Sequence, residues 1–192
     1  MHKISSSILL ASFLALSTAG LVGLSSTGCD GGGGGGSGGD GGSGGSGEAT
    51  CFDYSSFDGT SPTVSFKDEV LPLFQRSCGI TTGCHGDPNQ PDDKRPYLGP
   101  KKTITATADD IAIIRGAIID VTSYYEPTMS IVASGDPEKS FLMHKIDFTL
   151  ECDLLTCGKD CGVAMPQGNE EPLALAERNL VRRWIAQGAL DN

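Results

Sequence analysis

Two short segments hold the side chains most able to do chemistry. The first reads Ser77-Cys78-Gly79-Ile80-Thr81-Thr82-Gly83-Cys84-His85-Gly86. Two thiols separated by a short gap, with a histidine directly after the second, follow the attachment logic of a c-type haem. The thiols add across the two vinyl groups of the porphyrin, and the adjacent imidazole reaches the iron. This reading makes Cys78 and Cys84 the covalent anchors of one haem and His85 its proximal ligand. Two other chemistries remain open for the same residues. A Cys78–Cys84 disulfide would close a loop of permitted size. A zinc or copper site would use Cys78, Cys84 and His85, but no fourth ligand stands at a supporting spacing.

The second segment is Met165-Pro166-Gln167-Gly168, in an expected loop before the last helix. A lone methionine is usually core filler. A thioether held in a rigid loop also suits a soft axial iron ligand, and His/Met ligation raises the haem potential. Met129, Met143 and His144 are the rivals. His144 falls on an expected helix beside Lys145 and reads there as a partly exposed residue; as a ligand it would give a lower potential.

Four further cysteines, Cys51, Cys152, Cys157 and Cys161, crowd the region before Met165 or precede the domain core. They can form two disulfides in three pairings that the sequence does not choose between. Each bridge would contribute about 2–4 kcal/mol and hold the methionine loop. A metal knot is the rival reading, and it suits an exported chain less well.

The elements that must position these groups read as helices. Ser65 is placed to cap a helix with Phe66, Val70, Leu73 and Phe74 on one face, and Pro72 within it predicts a kink or a late start. Thr107, with Asp110 three residues on, is the expected cap of a second helix, followed by Ile111, Ile114, Ile118 and Val121. Pro137 fits the first turn of a third, which carries Phe141, Leu142 and Ile146. Pro172 opens a fourth with a stripe of Leu173, Leu180, Val181, Trp184 and Ile185, and Gly188 closes it. No alternating strand pattern appears. The fold expected is mainly α, with long loops at 86–103, 122–136 and 149–169; loops of that length call for a cofactor or disulfides. Arg182-Arg183 could reach haem propionates, although a solvated helix face is the plainer expectation.

These segments, in this order, resemble the cytochrome c domains of bacterial envelope proteins of the planctomycete type. The matching residues are Val70-Leu71-Pro72-Leu73-Phe74, Cys84-His85-Gly86, Ser134-Gly135-Asp136-Pro137, Ser140-Phe141-Leu142-Met143-His144-Lys145-Ile146, Met165-Pro166 and Trp184-Ile185-Ala186-Gln187-Gly188-Ala189. The resemblance covers most of residues 64–190. It implies a cytochrome c-like helical domain, one covalent haem on Cys78 and Cys84, His85 as proximal ligand and Met165 as distal ligand. Such domains keep two residues between their cysteines, whereas this chain has five. Gly79–Gly83 must therefore loop out between the thiols.

The first 50 residues are of another kind. Residues 1–28 have a lysine near the start, an apolar stretch from Ile8 to Leu24 and a run of small residues before Cys29. That layout is a secretory signal, and it resembles a bacterial lipoprotein signal whose lipidated cysteine would be Cys29. Ser26 stands where such signals usually carry leucine. An ordinary cleaved signal with an incidental cysteine is the other reading. Residues 31–47 are glycine and serine with Asp40. They cannot bury apolar area and predict a disordered tether with a root-mean-square span of about 20–25 Å. The expected organisation is a signal at 1–28, a lipid-anchored linker at 29–50 and a folded domain at 51–192. Lipid on Cys29 would hold it to a membrane of the cell envelope, facing the periplasm or exterior.

From Cys51 onward the net charge is −8, from 13 basic and 21 acidic residues. That excludes a nucleic-acid binder, which needs a basic surface, and suits a basic redox partner. No Gly-rich phosphate loop or Ser-His-Asp arrangement is present. The leading expectation is an electron carrier of the envelope rather than an enzyme. The alternatives are a haem-free, disulfide-stapled binding or scaffold lipoprotein of the same fold, and a haem enzyme with an open iron position.

Overall fold

The computed structural model describes residues 51–89 and 94–192. The expected signal at 1–28, the lipidation site Cys29 and the linker at 29–50 lie outside the described residues, as do residues 90–93 of the first long loop. Among the described residues there are four α-helices and no strand: α1 (Leu71–Ser77), α2 (Ala108–Ile118), α3 (Phe141–Asp147) and α4 (Leu175–Ala186). A π-helical turn (Phe66–Val70) runs directly into α1, and a 3-10 turn (Gly158–Asp160) sits in the third long loop. The domain is mainly helical, as its sequence pattern predicts.

Ser65 caps the first element. Its Oγ accepts from the Asp68 amide at 3.1 Å, and Glu69 Oε2 accepts from the Ser65 amide at 2.9 Å. The expected break at Pro72 takes the form of the π turn. Pro72 has no N–H, and its ring would crowd the carbonyl four residues earlier in an α-helix. A wider turn before it, with the Val70 amide on the Ser65 carbonyl, lets Pro72 enter at the start of α1.

In α2, Thr107 and Asp110 form the expected reciprocal capping box, and Ile111, Ile114 and Ile118 are buried. Val121 is not on that stripe: the helix ends at Ile118 and Val121 is exposed. The chain there turns through Asp120, at φ 57°, whose carboxylate accepts from the Ser134 amide and hydroxyl. Pro137 does not open α3. It lies in the preceding turn, which the Ser140 amide closes on the Pro137 carbonyl. Nor does Pro172 open α4, which starts at Leu175, with the Glu177 carboxylate accepting from the Ala174 amide at 3.3 Å. Gly188 ends the element as expected, at φ 92°.

The core centres on Trp184. Its indole lies 5.1 Å from the Phe66 ring and 6.3 Å from the Phe74 ring, so α4 packs against the π turn and α1. Ile114, Ile118, Val132, Met143, Val181 and Ile185 complete the centre. Arg182 belongs to this interior and not to a solvated face. It is fully buried, with Nη2 2.5 Å from Asp147 Oδ2 at the end of α3. Its guanidinium stacks 3.5 Å from the Phe52 ring centroid, with Tyr54 and Phe57 around it. Arg178 takes the other Asp147 oxygen at 2.9 Å. Arg182 thus gains ion pairing and aromatic contact together.

Isolated β-bridges (Ile119 with Val132, Thr122 with Ser130, Ser130 with Ser140) order the 122–136 loop, and side chains and disulfides tie the loops together. The four cysteines pair as Cys51–Cys152 and Cys157–Cys161. The first ties the aromatic segment around Arg182 to the loop after α3. Glu126 ties the 122–136 loop to the 149–169 loop. Its carboxylate is fully buried and accepts from the Thr156 amide at 2.6 Å, the Thr156 hydroxyl at 2.7 Å, the Cys157 amide at 2.9 Å and the Thr128 hydroxyl. Burial alone would raise its pKa, but these donors outweigh it and hold the group at about 2. A carboxyl held below its unfolded value stabilises the fold above pH 4.5 and loses that contribution as pH falls toward 2. Thermal denaturation between pH 7 and pH 2 should therefore show a loss of stability below pH 4.5 that is smaller in Glu126→Gln. The same variant should cost about 1–3 kcal/mol at pH 7.

Candidate functional site

The five residues between Cys78 and Cys84 form a closed loop. Cys78 ends α1, its amide on the Phe74 carbonyl at 2.8 Å. The chain then turns so that the Cys84 and Gly86 amides both reach the Thr81 carbonyl at 3.1 Å, and the His85 amide returns to the Cys78 carbonyl at 3.1 Å. The loop thus begins and ends at the same place, which brings Cys78 beside Cys84-His85 despite the long gap. Two glycines make this possible by close approach. A Cβ on Gly79 would lie 2.5 Å from the Gly99 carbonyl oxygen. One on Gly86 would lie 2.7 Å and 2.8 Å from the Gly79 and Thr81 carbonyl oxygens.

A cleft of about 740 Å³ opens beside this loop. Cys78, Cys84, His85 and Met165 all line it, and Leu98, Ile131, Phe141, Leu142 and Ile146 supply apolar wall. The two chemistry-bearing segments, separated by 80 residues of chain, are thereby brought to one site. The volume lies within the range of clefts that bury a small-molecule cofactor.

His85 is oriented from behind. Its Nδ1 lies 2.7 Å from the Pro96 carbonyl oxygen. A carbonyl only accepts, so Nδ1 is the donor; in the neutral ring the lone pair that a metal would take is then on Nε2. The His85 carbonyl accepts from the Leu98 amide at 2.9 Å, which fixes the loop on both sides. Cys78 is a free, buried thiol, and burial pushes its pKa up to about 12. It therefore makes no disulfide with Cys84, and the expected alternative of a Cys78–Cys84 bridge is not formed. Cys84 is itself disulfide-bonded, and the Thr81 hydroxyl points at its sulfur from 3.3 Å.

Met165 sits in a loop that α3 holds. Its amide donates to the Lys145 carbonyl at 2.9 Å, and the Met165–Pro166 bond is cis. The Lys145 ammonium donates to the Cys161 and Val163 carbonyls, the second at 2.9 Å. It passes against Gly162, whose φ is 72°; a Cβ there would lie 2.9 Å from Nζ. Lys145 and Tyr125 also line the cleft. Sequence reasoning missed them as site residues. The available signal was a lysine inside the apolar run of α3, where all seven residues are buried. Pro96 carried no signal, since a proline in a loop does not announce what its carbonyl accepts.

The rival ligands lie elsewhere. Met143 is a core residue, and neither it, Met129 nor His144 is among the residues lining the cleft. His144 is buried rather than partly exposed, with Nε2 on the Glu138 carbonyl at 3.2 Å and Nδ1 3.3 Å from the Thr149 hydroxyl. Its burial lowers its pKa. Arg182, turned to Asp147, also stays outside the lining. Among the described residues no group of three or more His, Cys, Asp or Glu side chains is clustered to hold a metal ion, so the zinc, copper and metal-knot readings find no donor set.

Comparison of the chain with models of protein families, with curated proteins and with solved structures finds no match.

The loop geometry gives a direct test. Gly86→Ala must push apart the backbone of Gly79 and Thr81, with an expected cost of about 1–3 kcal/mol. Thermal denaturation should show the loss, and hydrogen exchange should show faster exchange at the His85 amide. An alanine at Gly135, where an added Cβ meets nothing within 4 Å but φ is 81°, reports the cost of backbone strain alone.

Proposed function

We propose that the protein is a single-haem c-type cytochrome of the bacterial cell envelope, an electron carrier tethered through lipid on Cys29. The observation that carries this reading is the convergence of Cys78, Cys84, His85 and Met165 on one cleft. With the Cys84 disulfide reduced, the donor set would fit the group: two cysteines on one closed loop, an imidazole held through Nδ1, and a thioether in a braced loop. The closed loop at Gly79–Gly83 supports the five-residue spacing, because it gives the cysteines the proximity that a two-residue spacing gives directly. The resemblance to planctomycete-type envelope cytochrome c domains supports the same assignment.

A haem held there would supply one-electron redox chemistry. The chain's own residues would do the rest. Pro96 orients His85 and maintains its ligand tautomer. Lys145 braces the loop of Met165. The apolar walls exclude water and, with a methionine ligand, favour a high potential. With His85 and Met165 both engaged, no position is left for a substrate, so the protein is read as a carrier and not an enzyme. Its acidic domain suits a redox partner with a basic docking face. The disulfides Cys51–Cys152 and Cys157–Cys161 agree with an oxidising compartment. No helix among the described residues is long and apolar enough to cross a membrane; attachment is assigned to Cys29 instead.

Thioether formation consumes two thiols, so the disulfide at Cys84 must be reduced before attachment. That disulfide favours the second reading, a haem-free, disulfide-stapled binding or scaffold lipoprotein. The absorption spectrum of protein exported from a host that matures c-type cytochromes, with a pyridine haemochrome assay after denaturation, separates the two. Covalent haem is expected. Cys84→Ala should abolish two-point attachment, and Met165→Ala should retain haem but lower its reduction potential. A colourless protein would establish the haem-free reading, and an unchanged potential in Met165→Ala would remove Met165 as ligand.

A further inference from the structure

Lys145 is a buried cation without a counter-ion. The residue is 8% exposed, yet no carboxylate among the described residues forms an ion pair with it. Two of its three N–H donors go to the Cys161 and Val163 carbonyls. Its ammonium lies 4.8 Å from the Tyr125 ring centroid and 5.1 Å from that of Phe141. The other buried charge of α3, Asp147, is treated very differently, since it holds two arginines. A charge taken out of water is tolerated when an opposite charge or a full set of hydrogen bonds meets it. Lys145 has carbonyl and ring partners only among the described residues.

Its place explains what would complete it. Lys145 lines the same cleft as Cys78, Cys84, His85 and Met165, and Lys94 and Arg95 line it too. No aspartate or glutamate is among the described lining residues, in a domain whose net charge is −8. Acidic groups are abundant in the chain, and none is among the described residues of this wall.

We infer that Lys145 is the counter-ion for a carboxylate on the occupant of the cleft, an apolar ligand that carries its own negative charge. The inference rests on the proposed haem reading for the identity of that ligand, whose propionates would be the carboxylates. Lys145 then has two duties: its carbonyl contacts position the methionine loop, and its third N–H receives the ligand. The cleft would select its occupant by charge as well as by apolar fit.

The test uses the full chain in haem-free form, titrated with protoporphyrin IX and with its dimethyl ester, which differ only at the carboxyl groups. Porphyrin fluorescence reads binding. The wild type should prefer the free acid by roughly tenfold or more, the worth of one charged hydrogen bond. Lys145→Gln keeps a donor for the loop carbonyls but no charge, and should bring the ratio close to one; Lys145→Arg should retain most of it. The wild-type comparison of acid with ester needs no variant, so it decides the case where a variant does not fold. Equal binding of acid and ester, no binding of either, or a preference that survives in Lys145→Gln overturns the inference. Covalent haem with an unchanged acid preference in Lys145→Gln would leave the cytochrome reading intact and reject this one. A colourless exported protein with the Lys145-dependent preference would do the reverse.

Discussion

The carboxylate of Glu126 is the constraint on which the cleft depends. Two of the three long loops contribute cleft wall: Ser123, Tyr125 and Ile131 from one, Gly162, Val163 and Met165 from the other. Something must fix the loops relative to each other. Glu126 does so from a fully buried position, by accepting from the amides of Thr128, Thr156 and Cys157 and the hydroxyls of Thr128 and Thr156. A charged acceptor serves better than a neutral one here, because ionic hydrogen bonds are the stronger and a half-satisfied carboxylate would be costly. The Cys157–Cys161 bridge then closes the next turn of chain, which leads to the methionine.

The helices supply the rigid frame for this arrangement. α1 ends at Cys78, so the last turn of a packed helix delivers the first thiol. α3 lies across the site and presents both the carbonyl and the ammonium of Lys145 to the methionine loop. α4 contributes nothing to the cleft lining, yet it sets the position of α3 through the Asp147 ion pairs with Arg178 and Arg182. The buried arginine is in turn enclosed by Phe52, Tyr54 and Phe57, and the Cys51–Cys152 disulfide holds that aromatic segment in place. The cysteines are thus divided by role. Four staple the frame and loops, while Cys78, a free thiol, and Cys84, itself disulfide-bonded, line the cleft.

Several features were legible in the sequence because they depend on neighbours along the chain. The Ser65 and Thr107 caps, the apolar stripe of α2 up to Ile118, and the stop at Gly188 follow from spacings within one or two turns. The break at Pro72 was legible for the same reason, as a missing N–H. Boundaries were read less well where proline was the guide: Pro137 and Pro172 lie outside the helices they were taken to open. Proline fits a first helical turn but fits a preceding turn equally, and the starts lie where the Ser140 amide closes a turn on the Pro137 carbonyl and the Glu177 carboxylate takes the Ala174 amide. Val121 shows the same limit, since its spacing suits the stripe while the chain has already left the helix.

By itself, the sequence determined a mainly helical domain and the residue types able to do chemistry, because helical periodicity and side-chain chemistry are local properties. Only the tertiary structure decided the rest. It chose one disulfide pairing of three, placed Met165 at the cleft in preference to Met129, Met143 and His144, drew Arg182 into the core and left Lys145 buried with no carboxylate partner among the described residues. Each of these turns on which distant segments pack together. A side chain's partners in space, and with them its charge state and its exposure, are set by burial and by groups from other elements, which no local spacing records.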